Sequence, residues 1–210
     1  MSGTGTFVPP EPPAYAVASP RQRAARLVTD VLAPANLVIG LLLVVGAHST
    51  GGWAGAGWGL FAALFCGVLP IGVIALGVRR GALTDKHIRI RRQRVLPMAL
   101  SLVSVAAGLG LLYGLGAPAD VRALVVAMLV GLLSALAVTV GWQISIHNAV
   151  AGGAAMILAL AFGPGLLPFA AAVPVAVGWS RLALRAHTRA QVLAGTALGG
   201  VSALVFALLR

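Results

Sequence analysis

Histidine and arginine, rather than acidic residues, are the groups in this sequence that could do chemistry. The four acidic residues, Glu11, Asp30, Asp85 and Asp120, stand alone along the chain. Two-metal sites and magnesium-dependent prenyl-transfer sites need clustered carboxylates. The single cysteine, Cys66, excludes a disulfide framework and a cysteine-based metal site. The sequence therefore predicts phosphate chemistry that uses histidine and arginine, with neither a metal ion nor another cofactor.

Three stretches of the sequence carry these groups. Residues 86–97 are strongly basic, residues 145–147 read Ser-Ile-His, and residues 180–191 begin with Ser-Arg and contain His187. Arginine holds phosphoryl oxygens by charge-assisted hydrogen bonds, and histidine can act as a nucleophile or as a proton carrier. Together the three stretches predict a site that binds and attacks a phosphate.

The third stretch resembles a motif of the type 2 phosphatidic acid phosphatases (PAP2 superfamily), written S-R-x5-H-x3-D. Ser180 and Arg181 are followed by five residues and then His187, which is the family's spacing. Gln191 stands where the family usually has aspartate. A glutamine at this place is similar to the dolichyl-diphosphatase, or polyprenyl phosphate phosphatase, branch of the family.

The other two family motifs, P-S-G-H and K-x6-R-P, are matched less completely. Ser145 and His147 fit the second motif, with Ile146 in place of glycine. Residues 86–97 supply basic residues and Pro97, but no K-x6-R-P register fits. The resemblance covers residues 79 to 200, and it implies a PAP2-like helical core.

The resemblance implies a role for each candidate residue. His187 would attack phosphorus and form a phosphohistidine, and Gln191 would fix its tautomer through Nδ1–H. His147 would protonate the leaving lipid oxygen and then help to activate water. The residues implied to hold the phosphoryl oxygens are Arg181, Ser145, Lys86, Arg91 and Arg94.

Each stretch also has a simpler interpretation. Arg181 and His187 could belong to a basic loop that binds anionic headgroups, and Ser145 with His147 could merely cap a helix. Arginines accumulate in any cytoplasmic loop of a membrane protein, which would account for residues 79–94. His87 and Asp85 could pair with each other within that loop, but we interpret both as solvated residues.

The elements that must position these residues are membrane helices. The chain has 210 residues, 60% of them hydrophobic and 9% charged, with a mean hydropathy of +1.00. Long apolar runs satisfy their backbone hydrogen bonds in lipid as helices. We predict an all-α polytopic transmembrane bundle of six to seven spans, with Pro168 and Pro174 kinking the sixth span. The predicted spans are 31–48, 57–78, 97–116, 122–141, 146–162, 165–182 and 189–209.

Two domains are predicted: a disordered, proline-rich and basic tail over residues 1–30, and one phosphatase domain over residues 31–210. No cleavable signal peptide is expected, because the first apolar run follows this tail. Two glycine pairs, Gly110 with Gly114 and Gly195 with Gly199, have the spacing that allows close helix packing.

The face that holds the tail, named side A, collects nearly all basic residues. They are Arg21, Arg23, Arg26, Arg79, Arg80, Lys86, Arg89, Arg91, Arg92, Arg94, Arg181, Arg185 and Arg189.

The net charge of +11 predicts an anionic partner. Nucleic acid is excluded, because the basic residues lie between apolar spans. We expect the protein to lie in the cytoplasmic membrane, and the positive-inside tendency predicts that side A faces the cytoplasm. The sequence thus predicts a metal-independent phosphatase of a polyprenyl phosphate, diphosphate or phosphorylated polyprenyl-sugar, working beside the enzyme that makes this lipid. The alternatives are a catalytically degenerate lipid-binding scaffold and an anionic-lipid transporter.

Overall fold

The computed structural model describes residues 9–10 and 15–210, and every regular element in them is a helix. The prediction of an all-α fold is therefore confirmed. Short 3₁₀ turns lie at Tyr15–Val17 and Pro164–Leu166, and a π-helical turn lies at Leu64–Val68. The α-helices are α1 (Pro20–Val31), α2 (Pro34–Thr50), α3 (Trp53–Ala63), α4 (Leu69–Arg79), α5 (Arg91–Gly114), α6 (Ala119–Gly141), α7 (Ile146–Phe162), α8 (Leu167–Ala170), α9 (Ala172–Ala183) and α10 (Arg189–Leu209).

The lengths and hydropathy of these helices fit a membrane bundle. Five helical stretches of the described chain are long and apolar enough to cross a bilayer: Trp53–Arg79, Arg91–Gly114, Ala119–Gly141, Pro164–Ala183 and Arg189–Leu209. A sixth is present if α1 and α2, bent by 44° at their junction, form one span. Helix α7 is apolar but has 17 residues. The structure thus indicates an integral membrane protein with five or six full-length spans, where the sequence predicts six to seven.

The tail predicted to extend to residue 30 contains a helix instead, so the prediction of disorder is wrong for residues 20–30. Ser19 caps α1 by accepting the backbone N–H of Gln22, and the Gln22 side chain accepts the backbone N–H of Ser19. This reciprocal cap satisfies two otherwise unpaired donors. Helix α1 packs on α9, where the hydroxyls of Thr29 and Ser180 lie 3.0 Å apart. Residues 1–8 and 11–14 of the predicted tail lie outside the described residues.

A π-helical turn in the long helical stretch Trp53–Arg79 separates α3 from α4. Pro70 has no N–H to donate, and the π-helical turn at Leu64–Val68 shifts the backbone bond of Leu69 to the carbonyl of Leu64. The Ser104 hydroxyl donates to the carbonyl of Phe65 at 2.8 Å. This bond satisfies a carbonyl that lipid would leave unpaired. The sixth predicted span is likewise interrupted, at Ala171, one turn before Pro174.

Helices α7 and α10 make the tightest glycine-mediated contact around the predicted site. A Cβ atom at Gly195 would lie 2.5 Å from the carbonyl oxygen of Ser145, and a Cβ at Gly199 would overlap the carbonyl oxygen of Ala149. The predicted close packing is confirmed for this pair. It is wrong for Gly110 and Gly114, where an added Cβ atom would meet nothing within 4 Å. The α7–α10 contact holds the start of both helices together on side A.

Candidate functional site

The candidate site lies on side A, where three connecting segments converge. Ser145 donates its backbone N–H to the carbonyl of Gln191, which joins the start of α7 to the start of α10. Nη1 of Arg94 donates to the carbonyl of Ile144 at 3.1 Å, which joins the start of α5 to the segment that precedes α7. The three stretches singled out in the sequence therefore meet in space, although they are far apart along the chain.

His187 is held in one tautomer by Gln191, one helical turn further on. Its Nδ1 lies 3.1 Å from Oε1 of Gln191, and the same oxygen accepts the backbone N–H of Thr188 at 3.0 Å. An amide oxygen only accepts hydrogen bonds, so Nδ1–H must be the donor. This leaves Nε2 unprotonated, as a nucleophile at phosphorus requires. Thr188 caps α10 in a second reciprocal cap with Gln191, which fixes the position of the glutamine.

Burial and neighbouring positive charges keep the His187 ring neutral. Burial is the main cause that lowers its pKa, to about 3, and the positive charges of Arg181 and Arg94 lower it further. The hydrogen bond to Gln191 acts on the pKa in the opposite direction. A neutral imidazole at physiological pH has the free lone pair that nucleophilic catalysis needs.

His147 lies in the first turn of α7 and is 6% exposed. Its Nε2 atom is buried and has no hydrogen-bond partner in the part of the chain that the structure describes. Ser145 forms the N-cap of the same helix by accepting the backbone N–H of Asn148. An unpartnered ring nitrogen is costly in a protein interior, and such a group is most easily explained by a ligand. His147 is therefore placed to exchange a proton with a bound molecule.

Two buried guanidiniums, those of Arg94 and Arg181, supply positive charge and form no ion pair with a carboxylate of the described residues. Arg94 is 5% exposed and Arg181 is 3% exposed. Nε–H of Arg94 donates to the carbonyl of Ile88, whereas Nε of Arg181 has no hydrogen-bond partner among residues 9–10 and 15–210. The positive charge of each lowers the pKa of His187. Buried charges require a counter-charge, and this pair is suited to an anion.

The remaining predicted phosphate ligands occupy other positions. The structure does not bring Arg91 to the site, because its Nη1 donates to the carbonyls of Thr139 and Val140 at the end of α6. Lys86 is exposed at the rim and pairs with Asp30 at 2.7 Å. The Ser145 hydroxyl is fully buried and acts as a helix cap.

His87 belongs to the site, and the interpretation of it as a solvated loop residue is wrong. A quarter of its side chain is exposed, and its ring centroid lies 5.4 Å from that of His147. A sequence signal for it exists: His87 precedes Arg94 by seven positions, the spacing that K-x6-R-P asks of its lysine and arginine. Histidine replaces the lysine, and Val95 replaces the proline that follows the arginine.

A cavity of about 610 Å³ continues from this cluster into the bundle. Its volume is typical of a small-molecule site. One end is polar and is lined by Asp30, Lys86, His87, Arg94, His147 and His187. The remainder is lined mainly by apolar side chains of α2, α4, α5, α6 and α7, including Val38, Ile74, Val105, Leu124, Met128 and Ile157. The cavity can accommodate a molecule with an anionic head and an apolar chain.

No group of three or more metal-binding side chains comes together within the described residues. Comparisons with protein-family models, with curated proteins and with solved structures find nothing that matches this chain. The functional assignment therefore depends on the geometry of the site.

Proposed function

We propose that this protein is a membrane phosphatase that hydrolyses a lipid phosphate through a phosphohistidine on His187. The supporting observation is that an oriented, neutral histidine (His187), an unpartnered histidine (His147) and the buried Arg94 line one end of an apolar cavity. A second buried guanidinium, Arg181, does not line the cavity, but its charge lowers the pKa of His187. Each feature suits a phosphate, and the cavity suits the lipid attached to it. Positive charge at the phosphate comes from the protein, so the proposed reaction needs no metal ion.

The proposed reaction has two steps. Nε2 of His187 attacks phosphorus, the bond to the lipid oxygen breaks, and His147 gives that oxygen a proton. Water then attacks the phosphohistidine, losing a proton to His147 and releasing inorganic phosphate. Arg94 and Arg181 stabilise the negative charge that develops on the phosphoryl oxygens.

The proposed substrate is a polyprenyl phosphate or diphosphate, or a phosphorylated polyprenyl-sugar. The apolar part of the cavity supports a lipid rather than a soluble phosphate. The preference for a polyprenyl chain comes from the resemblance of Gln191 to the polyprenyl branch of the phosphatases. An association with the enzyme that makes this lipid belongs to the same proposal.

The proposed orientation places side A in the cytoplasm, with the protein in the cytoplasmic membrane. Its support is the number of basic residues on side A, which is the usual pattern for cytoplasmic loops. A reporter inserted between Ala117 and Asp120, on the opposite face, should be active only outside the cytoplasm. A cytoplasmic reporter at this position would reverse the orientation.

The direct test is phosphate release by the full chain, purified in detergent with EDTA present. The substrates are polyprenyl phosphate, polyprenyl diphosphate, a phosphorylated polyprenyl-sugar and phosphatidic acid. Release from at least one lipid is expected in the wild type and none above background in His187→Ala. His48→Ala is a matched control. His48 lies in the last turn of α2, whereas it is the first half of α2 that lines the cavity, so this variant should retain activity. Release that persists in His187→Ala would exclude the proposed nucleophile.

One observation favours a second candidate, a lipid-binding scaffold without turnover. Gln191 is neutral, and a neutral amide stabilises a developing imidazolium less than a carboxylate does. Under this alternative the wild type binds lipid phosphate with no release of phosphate, and Arg181→Ala abolishes the binding. Turnover by the wild type excludes it.

A further inference from the structure

His87 has a position in the site that the proposed mechanism does not use. It lies between the cavity and the outer rim of the molecule: its ring faces that of His147, and it lines the polar end of the cavity. Its Nε2 lies 3.4 Å from the Asp30 carboxylate of α1. A histidine in contact with both the cavity and an external carboxylate can exchange protons with the solvent.

The loop that carries His87 is wound tightly around one carboxylate. Asp85 accepts the backbone N–H of His87 at 2.9 Å, and it also accepts the backbone N–H and the Nε–H of Arg89. Gln143 donates to the carbonyl of Arg89, which ties the loop to the segment before α7. These bonds hold the backbone of the loop on both sides of Ile88 and so fix the position of the His87 backbone.

Backbone strain occurs next to His87 and close to His187. Among the described residues, two non-glycine residues have positive φ: Ile88 at 46° and Arg185 at 51°. For a β-branched residue such as Ile88 this conformation is an outlier, and such residues concentrate at functional sites. The carbonyl of Ile88 accepts Nε–H of Arg94 at 2.7 Å. The strained turn therefore positions His87 and Arg94 together.

We propose that His87 binds the substrate phosphate as an imidazolium, so that phosphate binding takes up a proton at this residue. This inference rests on the proposed function in placing a phosphate at the site. His87 lines the polar end of the cavity together with Arg94, His147 and His187, and its charge, unlike that of an arginine or a lysine, depends on pH near neutrality. The strength of phosphate binding is consequently regulated by pH.

The charged and titratable neighbours of His87 decide the direction of this effect. Burial, Arg181 of α9 and Lys86 of its own loop lower its pKa to about 4, while Asp30 of α1 and Asp85 of the loop act against them. His147 of α7 faces the ring, and Arg94 of α5 lines the same cavity. In the empty site His87 is therefore neutral near physiological pH.

A bound dianion reverses the balance of charge around the ring and raises its pKa. Between the pKa of the empty site, about 4, and the higher pKa of the complex, each rise of one pH unit weakens binding by up to about tenfold. Above the pKa of the complex the dependence ends. Affinity thus falls as pH rises through this window.

Sulfate is the probe for the experiment, since it is a tetrahedral dianion that has no proton to lose near neutral pH and cannot be hydrolysed. Its binding to the full chain in detergent is measured by calorimetry in buffers of different ionisation enthalpy, which gives the protons taken up. The variants are His87→Lys, which keeps a positive charge, and His87→Asn, which has none. His48→Asn is the matched control, because His48 lies in the last turn of α2 and does not line the cavity.

Proton uptake and weaker binding at higher pH are expected in the wild type and in His48→Asn. The affinity of His87→Lys for sulfate should change less with pH than that of the wild type. At acid pH, His87→Asn should bind sulfate roughly ten- to hundredfold more weakly than the wild type. Equal proton uptake in the wild type and in His87→Lys would overturn the inference. If the variants do not fold, absence of proton uptake by the wild type overturns it alone.

The two proposals fail in different ways. Sulfate binding with proton uptake at His87, but no phosphate release from any lipid, would leave this inference standing and remove the phosphatase. Phosphate release that requires His187, with sulfate binding indifferent to His87, would do the reverse.

Discussion

Replacing Gly195 with alanine should separate α7, which carries His147, from α10, which begins two residues after His187. The added Cβ would lie 2.5 Å from the carbonyl oxygen of Ser145, whereas ordinary contact begins at 3.4 Å. The oxygen belongs to the backbone and cannot rotate away, so α10 must move from α7 by about 1 Å at this point. His147 follows Ser145 in α7, and Gln191 lies one turn before Gly195, so the shift acts directly on the site.

The size of the effect follows from two opposing terms. Overpacking costs about 1–3 kcal/mol, and a rigid backbone contact places this substitution at the upper end. The better helix propensity of alanine offsets about 1 kcal/mol, which leaves about 2 kcal/mol of destabilisation. For a chain of this length that lowers the Tm by about 4–8 °C. A misplacement of about 1 Å in a catalytic arrangement can reduce the rate by about 100-fold.

Gly200→Ala is the matched control, on the same helix with nothing within 4 Å of the added Cβ. It should keep its activity and melt at the wild-type temperature or slightly above it. Both variants are measured by thermal unfolding in one detergent and by phosphate release well below the Tm. If Gly195→Ala matched Gly200→Ala in both assays, the close approach of α7 and α10 would not determine the geometry of the site.

The remaining predictions concern the charges around His187. Arg94→Ala should lower kcat/KM by about 100- to 1000-fold, because it removes a donor that stabilises charge in the transition state. Arg91→Ala should instead lower mainly the Tm, since Arg91 binds carbonyls at the end of α6. Equal losses of kcat/KM in the two variants would contradict the placement of Arg91 outside the site. Gln191→Glu should raise kcat, because a carboxylate stabilises the imidazolium that forms, and a lower kcat in a folded variant would contradict this. The pKa of His187 is lowered to about 3 in the folded protein, whereas its ordinary value in an unfolded chain is about 6.5. Between these two pH values the unfolded chain therefore binds more protons at this residue than the folded protein does. The contribution of His187 to the free energy of unfolding is consequently complete above about pH 6.5 and is lost as the pH falls toward 3. The Tm of the wild type should thus fall more steeply in acid than that of His187→Ala, and parallel curves would count against a buried neutral histidine.

Local spacing in the sequence is sufficient to predict the third stretch of the site. His187 and Gln191 are four positions apart, and Thr188 has the side chain of a helix cap, so one turn of helix brings ring and amide together. The capping pair Ser19 and Gln22 is an equally local signal for α1, which composition alone obscures.

The first stretch cannot be resolved in the same way. Arg91 and Arg94 differ by less than one helical turn, and their roles are decided by the carbonyls of α6 and of residue 144 that they meet. These partners are about 50 positions away in the chain. The place of His87 in the site likewise depends on its ring contacts with Asp30 and His147, which are distant in the sequence, so it is a product of tertiary structure.

Trapping the phosphorylated enzyme tests the proposed phosphohistidine most directly. The full chain is mixed briefly with a lipid phosphate that carries a radiolabelled phosphoryl group, quenched with alkaline detergent and digested, and the labelled peptide is identified by mass spectrometry. We expect an acid-labile label on His187 that disappears when turnover is allowed to finish. Turnover with no labelled enzyme, or a label on any other residue, would contradict the proposal.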